Sequence, residues 1–274
     1  MSSSLVFLKL GGAVITNKDI PESVREGVLS RLIGEIARAR KEKDMTLVLG
    51  NGAGSFAHVP AARYKTMDGF IHPESRMGMA ITQDAAARLN RIVVNECLKH
   101  EIPALTLAPS NTLVTSKKEM HDWCGACLET YLEQGMVPVT YGDVLADTQQ
   151  GCTIWSTDKV FAFLARQCMK KGMTVSTIIH VTEAEGVWKS GVGDQRLGDR
   201  KPIYPIITSA MQEEVKAAMV DTKGFDVTGG MWHKIEESLL LANEGIQTRI
   251  ISGLVKDNVY KVLMGDEKIG TTIR

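Results

Sequence analysis

"LVLGNGAGSFAHVPA", residues Leu47–Ala61, runs from an apolar strand into a glycine-rich loop and reaches a single histidine. The aliphatic run after Thr46 predicts a strand. Gly50, Gly52 and Gly54 then remove side chains from alternate positions, and Ser55 and His58 follow. A backbone stripped in this way permits close approach, and the commonest partner at such a loop is a phosphate. A strand ending in such a loop is the building unit of an open α/β sheet, where ligands gather at the carboxyl ends of the strands.

The same alternation extends outward from this stretch. "LVFLKL" before it and "IPALTLAP", "MVPVTYGDV", "VSTIIHV", "TRIISG" and "KIGTTIR" after it predict strands. Between them, "VREGVLSRLIGEIARARKEK", the segment from Glu74 to His100, that from Lys159 to Lys171, and "GGMWHKIEESLLLANEG" carry apolar residues at helical spacing. Strands alternating with helices predict a three-layer α/β sandwich with a largely parallel central sheet. Met77, Met79 and Ile81 read as core on the long helix. The stretch from Ser190 to Thr222 is irregular, with "SGVGDQRLGDRKPIYP" a surface excursion. No linker or internal repeat divides the 274 residues. One domain is expected, with an N-terminal acceptor lobe over about 1–170 and a C-terminal nucleotide lobe over about 171–274.

Composition removes several function classes. The 32 basic residues balance the 32 acidic ones, so nothing favours nucleic acid or a membrane surface. No apolar run reaches the roughly 20 residues of a membrane span. The N-terminus lacks the basic lead and long apolar stretch of a signal peptide. Five cysteines in a chain of this size fit a reducing, cytoplasmic compartment. Cys124 and Cys127 form a C-x-x-C behind Trp123, similar to a thioredoxin redox motif, with Asp122 a candidate cap for a helix from Leu128 to Gln134. The polar lead-in "TSKKEMH" is not a thioredoxin strand, so the pair reads as two partly buried helix cysteines without catalytic use.

Four segments place polar residues at strand ends. "LKLGGAVITNK" carries Lys9, Gly11, Gly12 and Lys18; the opening loop carries His58; "CTIWSTDKV" carries Ser156, Thr157 and Asp158; "DVTGGMWHK" carries Thr228, Gly229, Gly230 and Lys234. Neither glycine loop is a Walker A motif or a dinucleotide fingerprint. Taken singly, these residues read as a solvated lysine, a structural histidine, a helix cap and a surface charge. Their order along one α/β chain is the informative feature.

That order resembles the amino acid kinase family, and within it the isopentenyl phosphate kinases. The resemblance covers nearly the whole chain and rests on "KLGG", "GAGSFAH", "IPALTLAPS", "VPVTYGDV", "VTEAEGVW", "DVTGGMWHK" and "GTTIR". It implies the amino acid kinase fold, ATP and Mg²⁺ as cofactors, a small phosphorylated or phosphonate substrate, no dedicated protein metal site and a homodimer. By the same resemblance Lys9, Lys18, His58 and Asp158 are catalytic. Lys9 binds the transferred and acceptor phosphates, and Lys18 neutralises charge between them. His58 contacts the acceptor phosphate, and Asp158 orients the lysines. Ala53, Gly54, Ser55 and Thr157 line the acceptor site. Gly11, Gly12, Glu183, Gly186, Gly230 and Lys234 join Lys9 and Gly54 around the nucleotide.

The chain departs from the family pattern at Thr157 and Lys159, at Ala57, and at the Glu183/Glu185 pair. Thr157 and Ala57 predict a compact acceptor pocket, and Lys159 predicts added positive charge beside it. The resemblance implies phosphorylation of a phosphate group, with isopentenyl phosphate as the leading acceptor. A phosphonate kinase of the fosfomycin type and a non-catalytic nucleotide-binding protein are the alternatives.

Overall fold

Side chains along the strand Leu5–Leu10 divide strictly by face, and that division organises the molecule. Val6, Leu8 and Leu10 join one buried cluster, and Leu5 and Phe7 join the other. Successive strand residues point to opposite faces, so Lys9 lies on the Phe7 face. It is a buried charged residue in an otherwise aliphatic strand.

The computed structural model describes residues 4–189, 202–220 and 230–274. The elements in chain order begin β1 (Leu5–Leu10), α1 (Gly12–Ile15), α2 (Glu26–Glu42), β2 (Thr46–Asn51), α3 (Gly54–Tyr64), α4 (Ser75–Lys99), β3 (Ala104–Thr106) and α5 (Pro109–Thr112). They continue β4 (Leu113–Ser116), β5 (Glu119–Trp123), α6 (Ala126–Glu133), β6 (Val137–Tyr141), β7 (Asp143–Asp147), β8 (Gly151–Trp155) and α7 (Thr157–Lys170). The remainder is β9 (Val175–Thr182), β10 (Ile206–Ile207), α8 (Gln212–Val220), α9 (Gly230–Asn243), β11 (Thr248–Ser252), α10 (Asn258–Met264) and β12 (Thr271–Ile273).

The main sheet has the order β10-β12-β11-β9-β1-β2-β6-β3 and is parallel except where β11 meets β12. Helices α2, α4 and α10 cover one face, where Leu29, Ile33, Leu89, Val93 and Val259 pack on β1 and β2 residues. On the other face, Leu128 of α6, Phe161 and Leu164 of α7, and Leu241 of α9 pack on Leu5, Phe7 and Val48. Each fully buried Leu or Phe there stabilises the fold by roughly 1.5–3 kcal/mol before entropy is counted. A third cluster joins Val215 of α8 and Ile235 and Leu239 of α9 to the strands at the β10 end.

Three sequence expectations change. The chain between α5 and α7 builds a second, mixed sheet, β5-β4-β7-β8, in place of a single continued parallel pattern. "TSKKEMH" forms its outer hairpin, because Lys117 and Lys118 both take positive φ, at 52° and 69°, and reverse the chain. Met77 and Ile81 are exposed at 62% and 38%, so that stretch of α4 is surface rather than core. The excursion from Ser190 lies largely outside the described residues, as do Thr228 and Gly229. Among the described residues no helix is long and apolar enough to cross a membrane.

Candidate active site

The glycines of the opening loop make room first for each other. A Cβ on Gly12 would fall on the Gly54 nitrogen, and one on Gly52 would lie 2.7 Å from the Gly12 nitrogen. Gly54 itself has φ +53° and presses against Thr16. The loops after β1 and β2 therefore stack backbone on backbone, with Gly52 N–H donating to the Leu10 carbonyl at 2.9 Å. This brings together the N-termini of α1 and α3. First-turn amides have no intrahelical acceptor, so Gly12, Ala13 and Gly54 supply N–H groups at one spot. The close approach inferred from the sequence is real, and its first partner is the neighbouring loop.

Gly50 has a separate task. It is the register neighbour of Lys9 on β2. A Cβ there would stand 2.7 Å from the Phe161 ring. Its absence lets the N-terminus of α7 settle over β2. Ser156 caps that helix by accepting from Lys159 N–H at 3.2 Å. Thr157 is buried, and its hydroxyl donates to the Asn51 carbonyl at 2.7 Å. That bond pins α7 to the end of β2, so the Thr157 hydroxyl serves the scaffold as an anchor.

Asp158 is consequently free of capping and turns toward the sheet. Its Oδ1 lies 2.6 Å from Lys9 Nζ and 3.2 Å from His180 Nδ1, and its Oδ2 lies 3.7 Å from Lys234 Nζ. His180 is the β9 register neighbour of Lys9. Burial alone would raise the Asp158 pKa, but Lys9, His180 and Lys234 together hold it well below the usual carboxylate range. Burial lowers the Lys9 pKa, opposed by Asp158 and reinforced by Lys234. Burial likewise lowers that of His180, whose Nδ1 contact with Asp158 falls short of an aligned hydrogen bond. Sequence reading passed over His180. The signal was present in "VSTIIHV", where His180 interrupts the apolar run from Ile178 to Val181.

His58 projects from α3 as an exposed side chain. Partial burial of the ring and the charge of Lys9 lower its pKa, so the imidazole is neutral near pH 7. Ser55 is buried; its N–H donates to Thr16 Oγ1 at 3.0 Å, and its Oγ accepts from Ser23 N–H at 3.3 Å. Ala53 precedes α3 in helical conformation. The loop bearing Lys18 is thus tied to the start of α3, and through the Glu22–Arg88 ion pair to α4.

Lys18 does not join the Asp158 cluster. Its ammonium lies 3.4 Å from Glu183 Oε2, and Arg25 holds Glu183 Oε1 at 3.2 Å. The isolated bridge between Thr16 and Val24 closes the loop and directs Lys18 toward the end of β9. Glu183 is therefore engaged by two cations at the rim. Gly186 packs against β12, where a Cβ would stand 2.6 Å from Thr271 Oγ1. Lys159 also departs from expectation. Its ammonium reaches the Lys118 carbonyl at 3.0 Å and Glu119 at 3.1 Å, lying over Trp155, because the β4–β5 hairpin offers acceptors on the outer side of α7. It adds no charge to the site. Gly11 N–H donates to the Val181 carbonyl at 2.8 Å, and Gly230 opens α9, whose first turns carry Lys234.

Helix N-termini, bare backbone and two lysines held on one half-buried carboxylate make an arrangement suited to anions at the carboxyl edge of a parallel sheet. The chain belongs to the amino acid kinase family, whose model matches residues 4–252. It is 33% identical over 276 residues to the isopentenyl phosphate kinase of Methanothermobacter thermautotrophicus, covering 98% of both chains. It is 30% identical over 278 residues to that of Methanocaldococcus jannaschii, again over 98% of both. A solved isopentenyl phosphate kinase structure superposes with a TM-score of 0.80 at 30% identity, over 98% of this chain and 100% of the other. The three-layer fold is thus that of the amino acid kinases.

Proposed function

We propose that this protein is a kinase that transfers the γ-phosphoryl group of ATP to the phosphate of isopentenyl phosphate, forming isopentenyl diphosphate. The observation that carries the reading is the Lys9–Asp158–Lys234 arrangement beneath the stacked glycine loops. An oxygen of the acceptor phosphate attacks the γ-phosphorus, and the bond to the bridging oxygen of the departing ADP breaks. The acceptor is already largely ionised, since a phosphate monoester's second pKa is about 6. No general base is needed, and the obstacle is the approach of two anions.

Each group then has a task set by its position. Lys9 stands at the sheet edge between the two phosphates, fixed by Asp158. Lys234 reaches the nucleotide side from α9. The amides of Gly12, Ala53 and Gly54 meet phosphate oxygens between them, while Gly11, its own N–H bonded to the Val181 carbonyl, shapes the loop that presents them. Neutral His58 donates one N–H to the acceptor phosphate, with the Ser55 hydroxyl beside it. Lys18, exposed and held at the rim by Glu183, swings toward the charge that develops in the transition state. The reading keeps an N-terminal acceptor lobe over about 1–170 and a C-terminal nucleotide lobe over about 171–274, the latter adding Gly186 and Gly230 to the nucleotide side.

Among the described residues no group of three His, Cys, Asp or Glu forms a metal centre, and Asp158 is occupied by lysines. Mg²⁺ therefore fits as the salt of the ATP phosphates, where it neutralises charge on the leaving group. The reading extends to a cytoplasmic homodimer, whose mass light scattering would give. Thr157 and Lys159, the positions that favoured a phosphonate acceptor, are both bonded away from the site. The decisive experiment offers ATP with isopentenyl phosphate, fosfomycin, acetylglutamate and aspartate, and identifies products by phosphorus NMR. Isopentenyl diphosphate should dominate. Turnover of fosfomycin with isopentenyl phosphate inert would move the assignment to a phosphonate kinase.

A further inference from the structure

The five cysteines separate into two populations. Cys97, Cys152 and Cys168 are buried, and burial pushes the Cys97 and Cys168 thiols up to about 12 and raises that of Cys152. Thiols held protonated in the core are poor nucleophiles. Cys124 and Cys127 are both exposed, free and three residues apart. Cys124 directly follows β5, the outer strand of the second sheet, and Cys127 is the second residue of α6. Neither is the partly buried helix cysteine expected from sequence.

Local geometry brings the two Cα atoms within disulfide reach. Gly125 has φ −81° and ψ −19°, and Ala126 is the first residue of α6. Both residues between the cysteines are therefore helical. A helical turn with a rise of 1.5 Å per residue and a radius of 2.3 Å separates Cα atoms three residues apart by about 5 Å. Disulfides need roughly 4.4–6.8 Å. The turn is fixed from both sides: Glu129 N–H donates to the Gly125 carbonyl at 3.2 Å, and Cys124 N–H donates to the Thr112 carbonyl at 2.9 Å. Gly125 is required here, because a Cβ would stand 2.6 Å from the Trp123 indole folded across it. That indole meets Phe163 of α7 edge-on, with ring centroids 5.2 Å apart. Asp122 does not cap α6; it lies in β5 and its Oδ1 accepts from the Trp123 N–H at 2.8 Å.

We propose that Cys124 and Cys127 are a redox-modification site that closes reversibly to an intrachain disulfide by exchange with a small-molecule disulfide of the glutathione class. One thiolate attacks the oxidant, forming a mixed disulfide and releasing one thiol. The other thiolate then attacks the protein sulfur of that mixed disulfide, closing the ring and releasing the second thiol. The two protein thiols lose two electrons and two protons, and the oxidant is reduced to two thiols. The chemistry favours this over metal binding, because a structural zinc site takes four ligands. Among the described residues no third His, Cys, Asp or Glu completes such a group.

The test incubates the folded full-length protein with oxidised glutathione, blocks free thiols and maps the peptides by mass spectrometry. The expected product is a single peptide linking Cys124 to Cys127, lighter by two hydrogens, with the buried cysteines alkylated only after denaturation. The closed form should exceed the mixed disulfide by at least about tenfold, since a positioned internal thiol outcompetes a free one. Tryptophan emission should shift on closure, through Trp123. Cys124→Ser and Cys127→Ser should each stop at a stable mixed disulfide, and the double variant should consume no oxidised glutathione at these positions. Two stable mixed disulfides on the unmodified sequence, or cross-linked dimers in place of the internal bridge, would overturn the proposal.

Discussion

His58 on α3 and His180, the β9 register neighbour of Lys9, have different tasks in the proposed reading, the first toward the acceptor and the second toward the scaffold. A hydrogen bond to a charged phosphate contributes roughly 1.5–3 kcal/mol. His58→Ala should therefore lower isopentenyl phosphate turnover by about ten- to a hundredfold while the KM for ATP barely moves; unchanged kinetics would return His58 to a structural role. His180 is different, because it is buried and its pKa is lowered. A folded-state pKa below the unfolded one means that the unfolded chain binds more protons, so stability is full above the unfolded value and declines as pH falls. The decline should begin near pH 6.5, the ordinary histidine value, and continue to the lowered folded pKa. His180→Gln should flatten this limb in melting temperatures measured against pH, and an identical limb in the variant would remove the assignment. Asp158, whose carboxyl is held well below its ordinary value, contributes a separate acid loss that begins in the usual carboxylate range and continues below it.

Elements position these residues through contacts that leave no tolerance for extra atoms. The loops after β1 and β2 touch through Gly12, Gly52 and Gly54. Gly12→Ala drives a methyl group onto the α3 backbone, which no flexible side chain can relieve. We expect the loops to part, with roughly 1–3 kcal/mol of lost stability and near-complete loss of turnover, read by denaturant unfolding and by assay on the same sample. Thr157→Val tests the anchoring of α7. The Asn51 carbonyl loses the Thr157 donor, and stability should drop by about 1–3 kcal/mol. If the hydroxyl is an anchor, kcat falls as Asp158 shifts, while the KM for the acceptor changes little. A KM effect alone would restore Thr157 to the acceptor pocket.

The whole molecule determines which lysine acts where. Lys9 is buried in the central strand, whereas Lys18 is mostly exposed on a loop tied to α3 and α4. Lys18→Ala should thus change stability by no more than about 0.5 kcal/mol, as for other exposed positions, yet reduce kcat strongly with little effect on either KM. Lys9→Ala should do more, because it leaves the half-buried Asp158 carboxylate without its closest cation, a loss of roughly 1–3 kcal/mol. Equal stability of the two variants, measured by urea unfolding, would contradict this ranking.

Local sequence determined the elements: period-two and helical patterns located β1, β2, α2, α4, α7, β9 and α9 because burial acts residue by residue along each element. It also placed Lys9, Gly12, His58, Asp158 and Lys234 at strand ends, where a parallel sheet collects ligands. Pairing across the sheet was not legible, since it depends on register between strands far apart in the chain. Only tertiary structure set His180 beside Lys9 and turned Asp158 inward, leaving Ser156 as the cap. It also drew Lys159 out to the hairpin and moved Lys18 to Glu183. The glycines carry both lessons. Their spacing announced a close approach, but that the partner is another glycine loop follows from β1 and β2 being adjacent and parallel, so that their carboxyl ends meet.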